Sequence, residues 1–593
     1  MTAHDDDVSG KALDLAHLRR LWVFVRPYRR GFALALLILL VSFVIELAGP
    51  WILRRAIDGP LAQALAGDAM AHGPLLWLGA AYLLSTLCGA GLGYGYALLT
   101  TYNGQAVVRD VRARLFGHLL GLDAAFFERN AAGRLVTRVT SDVENLNELI
   151  ATGVLQSLFD VLKIVGIVIV LFVVDARLAL FTVVSVPVVL VLSVLFRRRA
   201  RDAYRAVRGH LARQNGFTAE LIGGVRTTRL YERESWIDAR YGDLNRDTRQ
   251  AWGRTVLQFS VFFALIDMVV HFTQTGLLWI GSNGILGGGM TIGLFVQFWL
   301  YFGKITEPIK ELGEKYNVLQ SAFASAERIF KILDTPAAIV EAKDAVPSAR
   351  GPARIDFEAV DFAYVADKPV LRLVSFTAKP GQTIAIVGPT GSGKSTILAL
   401  VSRLRDASAG TVRLDGHDVR TLTLDSLRRR VAVVAQDVFL FTGTIRDNVR
   451  LFDESIDDAR VLGALQAVGA EDLLTRFQGG LDAKVSERGG TFSQGERQLL
   501  SFARALAFDP DVLILDEATA NIDSEAEARI QRALRVLLRG RTALVVAHRL
   551  STVRHADAIL VLRQGRIVEH GTHAELVAAN GVYRRMLEHA QPD

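Results

Sequence analysis

Residues 388–395 read GPTGSGKS, and the segments on either side decide the fold of the second half of the chain. The octet fits G-x-x-x-x-G-K-[ST]. An apolar strand over Thr383–Val387 precedes it and a helix over Ser395–Val401 follows, which is the context a phosphate-binding loop requires. Gly388, Gly391 and Gly393 let backbone N–H groups approach phosphate oxygens with no Cβ between them. The helix N-terminus adds partial positive charge. Lys394 is placed to reach the β- and γ-phosphates and Ser395 to hold Mg²⁺, with Ser392 and Thr396 completing the expected ATP-contacting set.

Further motifs follow from this loop. VLILDE, 512–517, is an apolar strand ending in two acids: Asp516 suits a Mg²⁺ partner, and Glu517 is placed to polarise an attacking water. Gln436 ends the strand VAVVA and His548 ends TALVVA. The first could read the γ-phosphate through Mg²⁺ or water and the second could touch it, although a satisfied polar strand end is the blander reading of each. Tyr364, in VDFAY, could stack on adenine or simply fill a core. FSQGERQ, 492–498, carries the capping-box spacing Ser493-x-x-Glu496 ahead of a helix over Arg497–Ala507, a second helix N-terminus to offer a phosphate. The β-rich runs alternate with helical ones, so a parallel α/β sheet is expected.

The first half has a different composition. The chain has 593 residues, a net charge of +7 and 51% hydrophobic residues with 22% charged. Its mean hydropathy is +0.28. Six apolar runs predict an all-α transmembrane domain of six helices: Phe32–Leu53, Leu75–Leu99, Leu155–Val174, Leu178–Phe196 with Pro187 inside, Val256–Gly281, and Ile292 to about Pro308. Basic residues cluster before the first run, across 105–140, and in RRRARDAYRAVR after the fourth. The connections 54–74 and 282–291 are poorer, apart from Arg54 and Arg55. The positive-inside rule therefore puts the N-terminus and the two long connections in the cytoplasm, and the basic balance needs no nucleic-acid partner. Each long connection is helical in pattern with a break suited to a short cross-helix, near Leu122–Arg134 and near Gly216–Arg226. The lone cysteine, Cys88, excludes an intrachain disulfide framework and reads as a buried structural thiol.

Charges inside the apolar runs are costly and must face an interior. Glu46 interrupts the first run; Asp160 and Lys163, three apart, are spaced to pair; Asp267 and His271, four apart, share a helix face. Interhelical pairing is the bland reading. The sharper one makes Glu46, Asp267 and His271 part of a pathway for amphipathic compounds, cationic ones included.

The loop GPTGSGKS, Gln436, FSQGE, VLILDE, ANID at 520–523 and His548 occur in one order at spacings that resemble the nucleotide-binding domain of ABC transporters. The six runs resemble the exporter-type (type IV) transmembrane domain, and the resemblance covers about Leu18 to Leu587. FFERNAAGRLVTRVTSDV at 126–143 and ELIGGVRTTRLY at 220–231 are similar to the segments that form the two coupling helices. The organisation implied is an N-terminal segment 1–30, a transmembrane domain 31–335, a linker 336–352 and an ATPase domain 353–593. The resemblance implies a half-transporter in a bacterial inner membrane, hydrolysing ATP with Mg²⁺ held at Ser395, Gln436 and Asp516. Glu517, His548 and Gln436 are the catalytic groups this implies, Asp523 belongs to the D-loop, and Ser493, Gln494, Gly495 and Glu496 meet ATP on a partner chain. Phe492, Gln494 and Glu496 depart from the family's usual LSGGQ while the catalytic positions are intact. That combination is similar to the hydrolysis-competent subunit of heterodimeric multidrug exporters, so a heterodimer is expected ahead of a homodimer. Intact Glu517 and His548 argue against an ATP-gated channel, the fusion of both halves argues against an importer, and six spans argue against a soluble ATPase. The roughly 30 residues before the first span leave no room for the N-terminal protease domain of peptide-processing exporters. Drugs, lipids and peptides all stay open as cargo.

Overall fold

Each of the six apolar runs lies inside a helix. They are α1 (Arg29–Ala56), α2 (His72–Leu120), α3 (Val154–Val174), α4 (Ala176–Gly223), α5 (Glu234–Leu286) and α6 (Ile292–Leu333). The computed structural model describes residues 15–149, 153–365, 367–516, 524–547 and 553–590. The chain divides into two compact units, one of Met1–Leu120 with Ala132–Thr335 and the other of Gly121–Ala131 with Pro336–Asp593.

In the helical unit, the stretches Arg19–Leu65, His72–Leu120, Leu155–Val174 and Glu234–Leu286 are long and apolar enough to cross a membrane, and α4 and α6 begin with shorter apolar segments, Ala176–Val189 and Ile292–Ile305. At ~1.5 Å per residue, 42 to 53 residues in α2, α4, α5 and α6 reach well beyond ~30 Å of hydrocarbon, so these helices carry polar extensions. Pro187 sits inside α4 without ending it. Helices approach closely where glycine removes a side chain: a Cβ on Gly166 of α3 would lie 2.8 Å from the Phe43 ring of α1, and one on Gly276 of α5 would lie 2.3 Å from Phe181 of α4. Between α5 and α6, Gly288 takes a left-handed turn with φ 71°. Thr291 caps α6 by accepting from Leu294 N–H at 3.2 Å, and Asp58 accepts from Thr291 Oγ1 at 2.6 Å and Gly293 N–H at 2.7 Å.

Two expectations are corrected here. Cys88 is exposed within its chain, because the apolar stretch of α2 buries none of its residues against its own unit. Its face is the kind that lipid covers. Asp160 and Lys163 do not pair: Asp160 accepts from Lys315 at 2.6 Å and Lys163 reaches Glu46 at 3.0 Å. Spacing along one helix allowed the pairing, and neighbouring helices supplied better partners. The second break falls at Gly224, inside the expected window, and a short helix Val225–Leu230 follows. α4 runs through Gly216, since a lone glycine costs only about 1 kcal/mol. The first cross-helix, Ala124–Arg129, lies within its window, capped by Asp123, which accepts from Phe126 N–H at 3.0 Å.

The second unit is built on two large sheets and a two-stranded one. Its strands are β1 (Ile355–Val365), β2 (Lys368–Ala378), β3 (Thr383–Val387), β4 (Ala409–Leu414), β5 (His417–Asp418), β6 (Val431–Val434), β7 (Gly443–Thr444), β8 (Lys484–Val485), β9 (Val512–Asp516), β10 (Thr542–Val546), β11 (Ala558–Arg563) and β12 (Arg566–Gly571). The main sheet has the order β12-β11-β3-β10-β9-β6; β11, β3, β10, β9 and β6 run parallel and β12 closes the edge antiparallel. A four-stranded sheet β2-β1-β4-β5 is antiparallel, and β7 pairs with β8. Ile384, Ile386, Leu513, Ile514 and Leu544 are wholly buried, which is why these strands read as continuous apolar runs. Helices α7 (Lys394–Val401), α8 (Gln494–Phe508) and α9 (Ser524–Leu538) complete the elements that matter below.

Candidate functional site

The register across the sheet gathers the phosphate chemistry at the C-terminal ends of its central strands. Ile386 of β3 pairs with Val546 of β10, and Val546 pairs with Asp516 of β9. The loop after β3 therefore begins beside the carboxylate that ends β9. Gly388 has φ 157° and a Cβ there would lie 2.3 Å from Leu562 O; Gly393 has φ 103° and a Cβ would lie 2.6 Å from Leu371 Cδ2. Only glycine gives this loop its path. Lys394 is buried and donates to Gly388 O at 2.8 Å and Pro389 O at 3.1 Å, so its ammonium is folded onto the loop it serves. Burial pushes its pKa down, and the Asp516 carboxylate opposes that. Ser392 Oγ is buried with no hydrogen-bond partner, and a phosphate oxygen is the acceptor such a cradle suits.

Ser395 Oγ donates to Asp516 Oδ2 at 3.0 Å. Two hard oxygen donors at a helix start and a strand end fit Mg²⁺, which takes few protein ligands and completes its shell with water and phosphate. No group of three acidic, histidine or cysteine side chains forms a cage among the described residues. Gln436 is exposed just beyond the end of β6, whose Val434 pairs with Leu515 next to Asp516. Glu517, Asp523 and His548 lie outside the described residues.

Tyr364 is half exposed, and its hydroxyl is 3.1 Å from Thr396 Oγ1 in the first turn of α7. Its ring meets Phe362 edge-on at 4.9 Å, and the Arg405 guanidinium lies 5.3 Å from its centroid. Arg405 in turn pairs with Glu128 of the cross-helix Ala124–Arg129. An exposed aromatic braced beside the phosphate loop is a platform a purine can stack on. Sequence reasoning missed Arg405; nothing in its neighbourhood marks it, because its partners are far away along the chain.

At the start of α8 the expected capping box is formed. Glu496 N–H donates to Ser493 Oγ at 3.3 Å and Ser493 N–H donates to Glu496 Oε2 at 2.8 Å. Gln494 is the first residue of α8, and Gly495 is buried. Arg476, also missed, pairs with Glu496 and lies 4.6 Å from the centroid of Phe477, whose ring is 4.8 Å from Phe492. Burial pushes the Glu496 carboxyl up, but Arg476 and the Ser493 N–H hold it below the usual carboxylate range overall.

In the helical unit Glu46 is held by two ammonium groups, Lys304 at 2.8 Å and Lys163 at 3.0 Å. Asp267 and His271 are exposed on α5, with His271 Nδ1 3.0 Å from Gln274 Oε1. The structure does not bring these two to Glu46, which sits with α3 and α6.

Comparison with known proteins agrees with both halves. Residues 32–309 match the family described as ABC transporter transmembrane region, and residues 371–520 match ABC transporter. The chain is 36% identical over 591 residues to an uncharacterised ABC transporter ATP-binding protein, YknV, of Bacillus subtilis, covering 98% of this chain and 96% of the relative. It is 32% identical to the ATP-dependent lipid A-core flippase of Syntrophus aciditrophicus, covering 96% and 93%. A solved bacterial Atm1-family ABC exporter with ATP bound superposes with a TM-score of 0.79 at 25% identity, covering 95% of this chain and 99% of that one.

Proposed function

From the premise that this chain belongs to the exporter-type ABC transporters, whose ATP hydrolysis is coupled to transport, we propose that it drives an amphipathic small molecule or lipid outward as one half of a dimer. The observation that carries the reading is the cluster of Lys394, Ser395 and Asp516 at the end of β3 and β9 on a chain that also holds α1–α6. Lys394 and the glycine-lined loop hold the phosphates, Tyr364 stacks the base, and Ser395, Gln436 and Asp516 hold Mg²⁺, which when bound neutralises phosphate charge. Glu517 polarises the attacking water, His548 touches the γ-phosphate, and Asp523 belongs to the junction with the partner. The start of α8, Ser493 to Glu496, meets the partner's ATP. The N-terminus and the ATPase domain face the cytoplasm of a bacterial inner membrane, as the placement of basic residues supports. A lipid or lipid-like cargo is supported by the relative whose name is a lipid A-core flippase.

The partner in this reading is a non-identical half-transporter, because Phe492, Gln494 and Glu496 depart from the usual signature. A homodimer is the second reading, and Arg476 is the observation that favours it: the pairing offsets the charge of Glu496 within the same chain. Reconstituted vesicles test the function. The wild type should consume ATP and move a lipid probe, and Glu517→Gln should abolish most turnover while sparing ATP binding. Wild-type turnover in that variant would contradict the role of Glu517. Robust cargo-stimulated ATPase from the lone chain would count against the heterodimer.

A further inference from the structure

Three charged side chains meet within the membrane-spanning lengths of three helices. Glu46 of α1 accepts from Lys304 of α6 at 2.8 Å and pairs with Lys163 of α3 at 3.0 Å. All three lie within the apolar runs, where a charge is costly unless it is matched. Among the described side chains the match is uneven: two ammonium groups share one carboxylate, which leaves one net positive charge. Asp160, one turn from Lys163, is engaged by Lys315 and contributes nothing to the balance. The cluster is also reachable. The Lys304 and Glu46 side chains keep 31% and 30% of their exposure within the chain, against 15% for Lys163. Beside Lys304, Gly303 faces open space, and a Cβ built there meets nothing within 4 Å.

We propose that Lys163 and Lys304 form a binding site for the single anionic group of an amphiphile, a carboxylate or a phosphate monoester on an apolar chain, with Glu46 holding the two ammonium groups until the anion competes for them. This rests on the exporter reading above and names its cargo class as anionic, where the sequence had left the charge of the cargo open. A carboxylate brings the cluster to neutrality and a phosphate monoester, at about −1.5 to −2 near pH 7, more than neutralises it; either adds charge-assisted hydrogen bonds while its chain stays in apolar surroundings. The carboxylate already present makes the site reversible: release returns Glu46 to its two partners.

The test uses the full-length protein in a neutral detergent, without nucleotide, and measures binding of dodecanoate, dodecyl phosphate, dodecanol, dodecyltrimethylammonium and inorganic phosphate. Both anionic amphiphiles should bind at least about tenfold more tightly than the alcohol or the cation, and inorganic phosphate should bind weakly. A preference for one anion over the other identifies the headgroup. Lys163→Gln and Lys304→Gln should each remove the anion preference, Lys304→Arg should keep it, and Glu46→Gln should strengthen anion binding by freeing both lysines. That opposite sign separates a ligand site from a structural lock. Equal binding of anion and alcohol would overturn the proposal, as would inorganic phosphate matching the amphiphiles, or Glu46→Gln weakening binding as the lysine variants do. If Lys304→Gln fails to fold, Lys304→Arg and Glu46→Gln still decide. A chain that binds the anions but hydrolyses no ATP fails the exporter reading alone; one that hydrolyses ATP with no anion preference fails this one alone.

Discussion

Arg476 pairs with Glu496 in the first turn of α8, so the acidic side chain at the helix N-terminus carries its own counter-ion. The same carboxylate accepts the Ser493 N–H, which turns it back onto the cap. Removing Arg476 leaves an uncompensated anion where the partner's phosphates are proposed to sit. Arg476→Ala should lower ATPase about tenfold, and Arg476→Ala with Glu496→Gln should recover to within about twofold of wild type, since Gln still serves the capping box. Steady-state ATPase of the three proteins makes the comparison. A double variant no better than the single one would show that charge at this turn is not what matters.

Arg405 lies over the ring of Tyr364 and pairs with Glu128. A cation over an exposed aromatic contributes about 0.5–1 kcal/mol, enough to hold the ring in one orientation. If Tyr364 stacks the base, Arg405→Ala should raise the KM for ATP about threefold to fivefold with a smaller effect on kcat. Arg405→Gln, which is polar but shorter and uncharged, should fall on the alanine side. An unchanged KM in both would remove Arg405 from base binding.

Elements that depend on local sequence were legible and pairings that depend on the fold were not. The loop 388–395, its flanking strand and the Ser493–Glu496 cap are specified within a few residues, so their reading needed no third dimension. Arg405 and Arg476 act on residues far off in sequence, and arginine is too common on a surface for either to stand out. Lys163 misled because helix spacing offered Asp160, whereas the packing of α1, α3 and α6 offered Glu46. Cys88 looked buried only because an apolar run does not say whether protein or lipid covers it.

Asp142 is a buried ionic hub in the helical unit. It accepts from Arg328 Nη2 at 2.5 Å and Nε at 3.0 Å, from Arg138 Nη1 at 2.8 Å and from Ser325 Oγ at 3.0 Å. Burial pushes its pKa up, but Arg328 and Arg138 outweigh that and hold it below the usual value. With the folded pKa depressed, its stabilisation is present above the unfolded value of about 4 and is lost as pH falls through the folded one. Asp142→Asn should therefore cost about 3 kcal/mol at neutral pH, seen as a lower Tm in detergent, and the difference from wild type should shrink below about pH 4. A constant difference across that range would mean the loss is not electrostatic.

The contact of α1 with α3 is set by Gly166, because a Cβ there would come within 2.8 Å of two atoms of the Phe43 ring. Phe43 also meets Phe159 edge-on at 5.9 Å and is nearly buried, so it has little room to retreat. Gly166→Val should push α1 and α3 apart and lower the Tm by an amount corresponding to about 1–3 kcal/mol of overpacking. Adding Phe43→Leu removes the ring that collides and should restore part of the loss. Lys163 stands one turn from Gly166, so the same change should also weaken its pairing with Glu46. A Phe43→Leu background in which Gly166→Val costs as much as before would place the clash elsewhere.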